Sequence, residues 1–362
     1  MTTSDAPNLG YGYSYSYGMG KTSPAHNPKA TVRPRARDDF YYKLLAGAPH
    51  THLLESTIDL GLPQLLAKRG PLTAAEIAEA LGLHVKRAAK WLVLLERVGL
   101  VQSEADRYRN TEAAIALHWD EQGRENFFLR DLLEFCRRVN AQDLTGLLRG
   151  TVLPELMHWP PRTKEGAAHL ELWMTITANE AIGALERGTD WTHTKTLLDV
   201  GGGDATIACA LVRKIPHLNV TVFNLPASAE LARARIAREK LEDRVQVVEG
   251  NFLENDLPIG FDRVQYSRVL ADWDPAVCQM LLHKSKAALN PGGSIVISEP
   301  FDDTNKDLAI SWEYRYTFYD DFGVHTYKSI AEYTRMLKQA GLSKVHVVDR
   351  IDDTLYGVLT AS

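Results

Sequence analysis

The second half of the chain alternates short apolar runs with longer amphipathic segments. The apolar runs predict seven β-strands, at residues 196–200, 220–224, 245–249, 261–266, 294–298, 344–349 and 354–360. Apolar positions at helical spacing predict helices at residues 227–240, 276–289 and 329–340. This alternation is typical of a mostly parallel sheet with helices on both faces. The last two strands are joined by a short turn, which predicts an antiparallel pair at the sheet edge.

The first half is helical in pattern and contains a recognisable start signal. Thr73 and Glu76 form a capping box ahead of a helix at residues 74–81, and a second helix follows at 86–98. Two short strands, at 100–102 and 107–109, complete the pattern of a winged helix. Such a unit can bind DNA or act as a dimerisation unit. The second helix is too apolar for reading a groove, which favours dimerisation.

Composition divides the chain into three segments. Residues 1–38 are rich in Tyr, Gly and Ser and predict a disordered tail, or else an arm that orders over a partner or an active site. Prolines near residue 160 separate a winged-helix domain, 39–160, from an α/β domain, 161–362. A helix at residues 170–185 is expected to lead into the second of these.

Charge and cysteine content exclude several classes of protein. The chain has 362 residues and a net charge of −5, which does not favour nucleic-acid or membrane partners. It has no signal-peptide pattern and no apolar run of about twenty residues. Its three cysteines, an odd number without a CxxC spacing, predict reduced thiols in a cytoplasmic protein.

A glycine-rich turn after the first of the seven strands is the strongest candidate binding site. The sequence 199–203 reads DVGGG, and a helix is predicted directly after it. Glycines allow a ligand close to the backbone, and the free N–H groups of the helix start point at it. A dinucleotide fingerprint needs glycine at position 206, where Thr206 stands, and no P-loop lysine follows.

An ordered set of motifs identifies the cofactor. DVGGG is followed by FNLP (223–226), EGNF (249–252), SRVLADWD (267–274) and LNPGGSIVISEP (289–300). This set resembles the class I S-adenosylmethionine (SAM) methyltransferases, and specifically the plant-type and bacterial small-molecule O-methyltransferases related to caffeic acid O-methyltransferase. The likeness covers residues from about 40 to 362. It implies a Rossmann-like seven-stranded SAM-binding domain behind a winged-helix dimerisation domain, and a homodimer acting on a small molecule.

The resemblance also implies cofactor-binding residues. Asp199, Gly201 and Gly203 match the cradle for the methionine end of SAM. Asn224 and Asn251 stand where the family has acids that face the ribose and the adenine, so both contacts lose a charge. The remaining positions expected at the cofactor are Leu225, Phe252, Ser267 and Arg268.

The family's catalytic base is missing. Its histidine corresponds to Ala271, Glu299 matches the first acid that orients the histidine, and Tyr327 lies near the second. Glu299 and Asp272, which follows Ala271, are expected to be catalytic residues. A phenol has a pKa of about 10, so only about one molecule in a thousand is ionised at pH 7. Without a base, reaction through this small fraction adds about 4 kcal/mol to the barrier. His325 is a candidate substitute base. Otherwise the acceptor is a nucleophilic carbon, or the bound SAM serves a different reaction.

The acceptor site is expected between a helix at residues 172–177 and the aromatic stretch at 312–321. The residues predicted to contact the acceptor are Trp173, Met174, Arg315, Tyr316, Tyr319 and Tyr327. Arg315 would suit a carboxylate. No metal is expected, because Ala271 occupies one of the positions that metal-dependent relatives use.

The predicted function is therefore SAM-dependent methyl transfer to a small, aromatic intermediate of secondary metabolism. Ala271 favours C-methylation, or O-methylation with a substitute base. The alternatives are a SAM-binding protein with a non-methylating reaction and a winged-helix transcription regulator.

Overall fold

The structure is a computed structural model that describes residues 38–119, 133, 136–137, 139–152, 163–303, 310–311, 313–314, 316, 327–348 and 356–362. The predictions of a tail at residues 1–38 and of a boundary near residue 160 fall almost wholly outside these residues. So do the predicted site residues Arg315, Tyr319 and His325, and the side chain of Trp173.

The N-terminal region is a winged helix, as predicted. Its helices are α1 (Asp38–Asp59), α2 (Leu62–Arg69), α3 (Ala74–Ala80), α4 (Val85–Arg97) and α5 (Glu112–His118). Its strands are β1 (Leu72–Thr73), β2 (Val101–Glu104) and β3 (Arg107–Asn110), in the antiparallel order β1-β3-β2.

The predicted capping box starts helix α3. The Thr73 hydroxyl accepts a hydrogen bond from the Glu76 amide at 3.3 Å, and the Glu76 carboxylate accepts one from the Thr73 amide at 2.7 Å. Both bonds satisfy amides that the first helical turn leaves without a partner. The start of this helix is thereby fixed by the sequence itself.

The C-terminal region is an α/β unit around a seven-stranded sheet. The short helix α6 (Leu144–Leu148) precedes this unit in the chain. The helices of the unit are α7 (Lys164–Ile176), α8 (Ala178–Gly188), α9 (Thr206–Lys214), α10 (Pro226–Glu239), α11 (Pro275–Ala288) and α12 (Ile330–Gln339). Its strands are β4 (Thr196–Val200), β5 (Asn219–Asn224), β6 (Val245–Glu249), β7 (Phe261–Ser267), β8 (Leu289–Glu299), β9 (Val345–Val348) and β10 (Gly357–Ala361). A single 3₁₀ turn, Leu270–Asp272, follows β7.

The strand order is β6-β5-β4-β7-β8-β10-β9. Strands β4 to β8 pair in parallel, while β10 is antiparallel to both β8 and β9. The predicted parallel sheet with an antiparallel pair at one edge is confirmed. Strands β5 and β6 follow β4 on one side of it, and β7 and β8 are then added on its other side. At such a switch point a crevice opens beyond the carboxyl ends of the two central strands, β4 and β7.

Both faces of the sheet are buried under helices, as the alternating pattern predicts. Leu197 on β4 packs into a core with residues of α8, α9 and α10 on one face. Its neighbour Leu198 points to the other face, where it joins a core with α11 and α12. No helix in the described ranges is long and apolar enough to cross a membrane.

The prediction of one helix over residues 170–185 is wrong. The chain forms two helices, α7 and α8, which separate at Thr177. The Arg268 guanidinium lies at this break, where it donates to the Met174 carbonyl at 2.8 Å and to the Thr177 hydroxyl at 2.6 Å. The carbonyl that a continuous helix would use internally is thus bound from outside.

Candidate active site

A cleft lies beyond the carboxyl ends of the central strands. The glycine turn after β4 forms its floor, and the start of α10 and the loop after β6 form one side. Helix α7 and the segment Ser267–Trp273 form the other side. The cleft brings together the predicted cofactor residues Asp199, Gly201, Gly203, Asn224, Leu225, Asn251, Phe252, Ser267 and Arg268, with Met174 and Asp272.

The glycine turn needs its glycines for two reasons. Gly201 and Gly203 have φ angles of 71° and 58°, a region that favours glycine. A Cβ atom on Gly201 would lie 2.9 Å from a methyl carbon of Val269, and one on Gly203 would lie 2.5 Å from a carboxylate oxygen of Glu171. A side chain at either position would therefore intrude into the cleft wall.

Asp199 is a buried carboxylate at the end of β4. Its side chain is 1% exposed, and its Oδ1 accepts a hydrogen bond from Gln265 at 3.1 Å. Burial raises its pKa to about 6. Its Oδ2 atom is buried without a hydrogen-bond partner in the described part of the chain. Such an atom is costly unless a ligand supplies a donor.

Asn224 braces the glycine turn from the end of β5. Its amide nitrogen donates to the Gly203 carbonyl at 2.9 Å, and its side-chain oxygen accepts from the Leu225 amide at 2.9 Å. An aspartate here could not make the first of these bonds, because it has no donor when ionised. The neutral side chain thus fixes the shape of the turn as well as lining the cleft.

An aromatic pair forms the far wall. The rings of Phe252 and Trp273 pack edge to face, with centroids 5.5 Å apart and planes at 83°. The neighbouring Asn251 side chain accepts from the Leu253 amide at 3.0 Å, which shapes the loop after β6. This wall offers apolar surface to a planar ligand group.

Glu171 is a cleft residue that the sequence analysis missed. It is buried on α7, and its carboxylate accepts from the Asp204 amide at 3.0 Å, next to the glycine turn. Burial raises its pKa. Glu171 and Met174 are three residues apart, so they lie on one face of the helix. The signal in the sequence was a glutamate on the same helix face as an apolar residue, which indicates a buried acid.

The cleft wall is rich in carboxyl groups. Among the described residues, its lining contains four of them, those of Glu171, Asp199, Asp204 and Asp272, and one cationic side chain, that of Arg268. Arg268 has a φ angle of 58°, which is unusual for a residue with a side chain. This excess of negative charge suits a cationic ligand.

Two buried ionisable groups hold the 3₁₀ turn Leu270–Asp272. Glu299, at the end of β8, accepts hydrogen bonds from the amides of Val269 and Leu270 at 2.9 and 3.0 Å. Lys328 donates to the carbonyls of Leu270 and Ala271 at 3.0 and 3.3 Å. Glu299 is 1% exposed and Lys328 is fully buried. Burial raises the pKa of Glu299 to about 7 and lowers that of Lys328.

The position of the missing base is filled by an apolar contact. Ala271 and Tyr327 are both buried and pack against each other. The Tyr327 amide donates to the Glu313 carboxylate at 3.0 Å, which fixes the backbone here. Burial raises the pKa of the Tyr327 phenol, and the half-buried Tyr316 lies near enough to add to this. A small residue at 271 and a large one near the second acid position complement each other in size.

Comparison with known proteins identifies the family. Residues 168–343 match the O-methyltransferase domain, and residues 42–119 match the O-methyltransferase dimerisation domain. The N,N-dimethyltransferase OxyT of Streptomyces rimosus is 31% identical over 316 residues, which cover 83% of this chain and 89% of OxyT. The chain belongs to this O-methyltransferase family. It is a SAM-dependent methyltransferase, as its motif order predicted.

Two further relatives show how broad the similarity is. The L-tyrosine C(3)-methyltransferase of Streptomyces lavendulae is 27% identical over 289 residues, covering 76% of this chain and 78% of the relative. The apo crystal structure of the SAM-dependent methyltransferase SibL superposes with a TM-score of 0.74 at 29% identity, covering 89% of this chain and 98% of SibL. The methyltransferase and its relatives therefore share both domains.

The cleft fits SAM. Within the described residues, the Oδ2 of Asp199 and the hydroxyl of Ser267 are buried polar atoms of its wall without a hydrogen-bond partner. The glycine turn leaves the space that a ligand needs, and the carboxylates of the wall suit the cationic sulfonium and ammonium groups of SAM. Asp199 and Glu171 are placed to bind cationic groups, and the Phe252 wall is suited to the adenine. In the described ranges, no group of three or more His, Cys, Asp or Glu side chains could hold a metal ion.

Proposed function

We propose that this methyltransferase transfers a methyl group to a small aromatic acceptor of secondary metabolism, at a ring carbon or at a hydroxyl deprotonated by a substitute base. The packing of Ala271 against Tyr327 supports this, because no ionisable group stands where the family resemblance puts the base. SAM, when bound, supplies the electrophilic methyl group. The chain contributes orientation, since holding two reactants in line can replace much of the barrier.

The comparisons support a proposal in which the acceptor atom that receives the methyl group is oxygen, nitrogen or carbon. The matched family is named for O-methylation, OxyT for N,N-dimethylation and the tyrosine enzyme for methylation at C(3). The same two-domain scaffold thus serves acceptors that attack through oxygen, nitrogen or carbon. An electron-rich ring carbon needs no hydroxyl base at position 271, which makes carbon the acceptor atom most compatible with Ala271.

The site residues keep the roles proposed from the sequence, with two additions. Glu171 joins Asp199, Gly201 and Gly203 at the cofactor, and Lys328 joins Glu299 at the turn. All of these roles stay predictions, and so do those of Trp173, Arg315, Tyr319 and His325. The match to a dimerisation domain supports a homodimer, and the cytoplasmic location stays a prediction.

The test is incubation of the purified protein with methyl-labelled SAM and a panel of aromatic acids, aromatic amino acids, phenols and 2-oxo acids, with mass spectrometry of the products. We expect a labelled product whose fragmentation places the methyl on carbon or oxygen. The His325→Ala variant is run in parallel, and loss of product there would make His325 the substitute base. Binding of SAM without any S-adenosylhomocysteine formation would refute methyl transfer and favour the non-methylating alternative.

A further inference from the structure

We propose that Asp272 accepts the proton that the acceptor loses, and that Glu299 and Lys328 are positioning residues that hold it at the cleft wall. This inference rests on the proposed function, because it assigns the substitute base within the same site. It differs from the sequence-based hypothesis that His325 is the base, and the two can be separated by experiment.

Asp272 is the cleft carboxylate that is free to act. Within the described part of the chain, its side chain accepts no hydrogen bond. The other three acids are engaged. Asp204 pairs with Arg235 and accepts from Thr175 at 2.9 Å, while Asp199 and Glu171 accept from Gln265 and the Asp204 amide.

Glu299 and Lys328 do more than stabilise the 3₁₀ turn. Glu299 holds the amides of the turn from one side and Lys328 holds its carbonyls from the other. Burying an acid and an amine is costly, and replacing such a pair by apolar residues is often neutral or stabilising. What an apolar pair could not do is fix the orientation of the turn that carries Asp272.

The charges around Asp272 act on its ionisation in both directions. Glu299 opposes its ionisation, while Lys328 and Arg268 favour it, and the phenols of Tyr327 and Tyr333 lie nearby without a charge. Burial and Glu299 together raise the pKa of Asp272 well above its usual value. A carboxylate with a raised pKa is a stronger base than an ordinary aspartate, which favours proton acceptance once it is ionised.

The proposed step balances in atoms and electrons. The acceptor gives one proton to a carboxylate oxygen of Asp272, and its electron pair forms the bond to the methyl carbon. The electron pair of the breaking carbon–sulfur bond stays on sulfur. The products are the methylated acceptor, a neutral thioether and a protonated Asp272, which returns its proton to water before the next turnover.

The first test follows product formation against pH, using an acceptor from the panel. Asp272→Asn is expected to lower the rate by about 10²–10⁴-fold and to remove the low-pH limb of the profile. Asp274→Asn, the same exchange at an exposed position two residues away, is the matched control. Full activity of Asp272→Asn, or equal losses in both variants, would overturn the proposal.

The positioning residues have a signature that a structural role would not produce. Lys328→Met removes a positive neighbour and should move the low-pH limb up by about one pH unit, while Glu299→Gln removes a negative neighbour and should move it down. Lys328→Arg keeps the charge and should restore the wild-type limb. Shifts in the same direction, or none, would contradict the arrangement.

A second measurement needs no acceptor. Calorimetric titration with SAM in two buffers of different ionisation enthalpy gives the number of protons released on binding. A cationic ligand favours ionised Asp272, so the wild type should release protons when SAM binds, and Asp272→Asn should release fewer. S-adenosylhomocysteine lacks the sulfonium charge and should release fewer from the wild type.

The two measurements separate the two proposals. A wild type that binds SAM but forms no product with any acceptor refutes the proposed function, while the proton count still tests Asp272. Equal proton release by wild type and Asp272→Asn refutes the role of Asp272 and leaves methyl transfer standing.

Discussion

The contact between Ala271 and Tyr327 predicts that putting the family's histidine back will destabilise this protein. Ala271→His adds an imidazole ring at a site where both partners are buried, at 5% and 8% exposure. Adding side-chain volume to a packed core costs about 1–3 kcal/mol. One kcal/mol lowers the melting temperature of a domain this size by about 2–4 °C, so a fall of about 2–12 °C is expected.

A double-mutant cycle tests whether Tyr327 is the cause. Tyr327→Ala alone should cost about 3–5 kcal/mol, as truncation of a buried aromatic side chain does. If the two side chains compete for one space, Ala271→His with Tyr327→Ala should be less destabilised than the sum of the single variants, by about 1 kcal/mol or more. Urea denaturation of the four proteins measures each free energy of unfolding.

The control for charge is Ala271→Leu, which adds similar volume without an ionisable group. It should destabilise about as much as the histidine variant and show the same coupling to Tyr327→Ala. Additive effects in the cycle would refute the size argument. If Ala271→His had the same melting temperature as the wild type, the space around position 271 would be larger than its contact with Tyr327 implies.

Three further changes follow from the cleft. Gly201→Val should abolish SAM binding in calorimetry, since the glycine has a φ of 71° and a Cβ there would lie 2.9 Å from Val269; unchanged affinity would remove the cradle assignment. Burial raises the pKa of Glu299 to about 7, above the unfolded value of about 4.3, so the contribution of Glu299 to stability falls as the pH rises between these values. The midpoint of urea denaturation should therefore depend less on pH over this range in Glu299→Gln than in the wild type. Arg268→Lys should loosen the break between α7 and α8, seen as faster hydrogen exchange near Thr177; unchanged exchange would show that the two hydrogen bonds do not hold the break.

Features written in local sequence could be predicted. The Thr73–Glu76 capping box involves residues three apart, and the seven strands follow from apolar runs bounded by turns. The glycine turn was predictable because Gly201 and Gly203 are required by a backbone conformation that few other residues adopt. In each case the interacting groups lie within a few residues of one another.

Features made by distant residues could not be predicted. The break at Thr177 depends on Arg268, which is 91 residues away, and Lys328 reaches the Leu270 carbonyl across 58 residues. Glu171 has no motif around it, and its place beside Asp204 follows from the packing of α7 against helix α10. Sequence pattern gives each residue's chemistry, but tertiary packing decides which groups meet.

The position of β10 between β8 and β9 has a consequence for how the chain reaches its native state. Its pairing partner β8 lies almost sixty residues earlier, and β9 joins the sheet through β10. Until residues 357–361 are in place, the hydrogen-bonding edge of Ile295, Val296 and Ile297 stays open, and such an apolar edge is a template for self-association. Completion of the sheet is therefore a late, non-local step, and chains cut before Gly357 should aggregate rather than fold into a smaller enzyme.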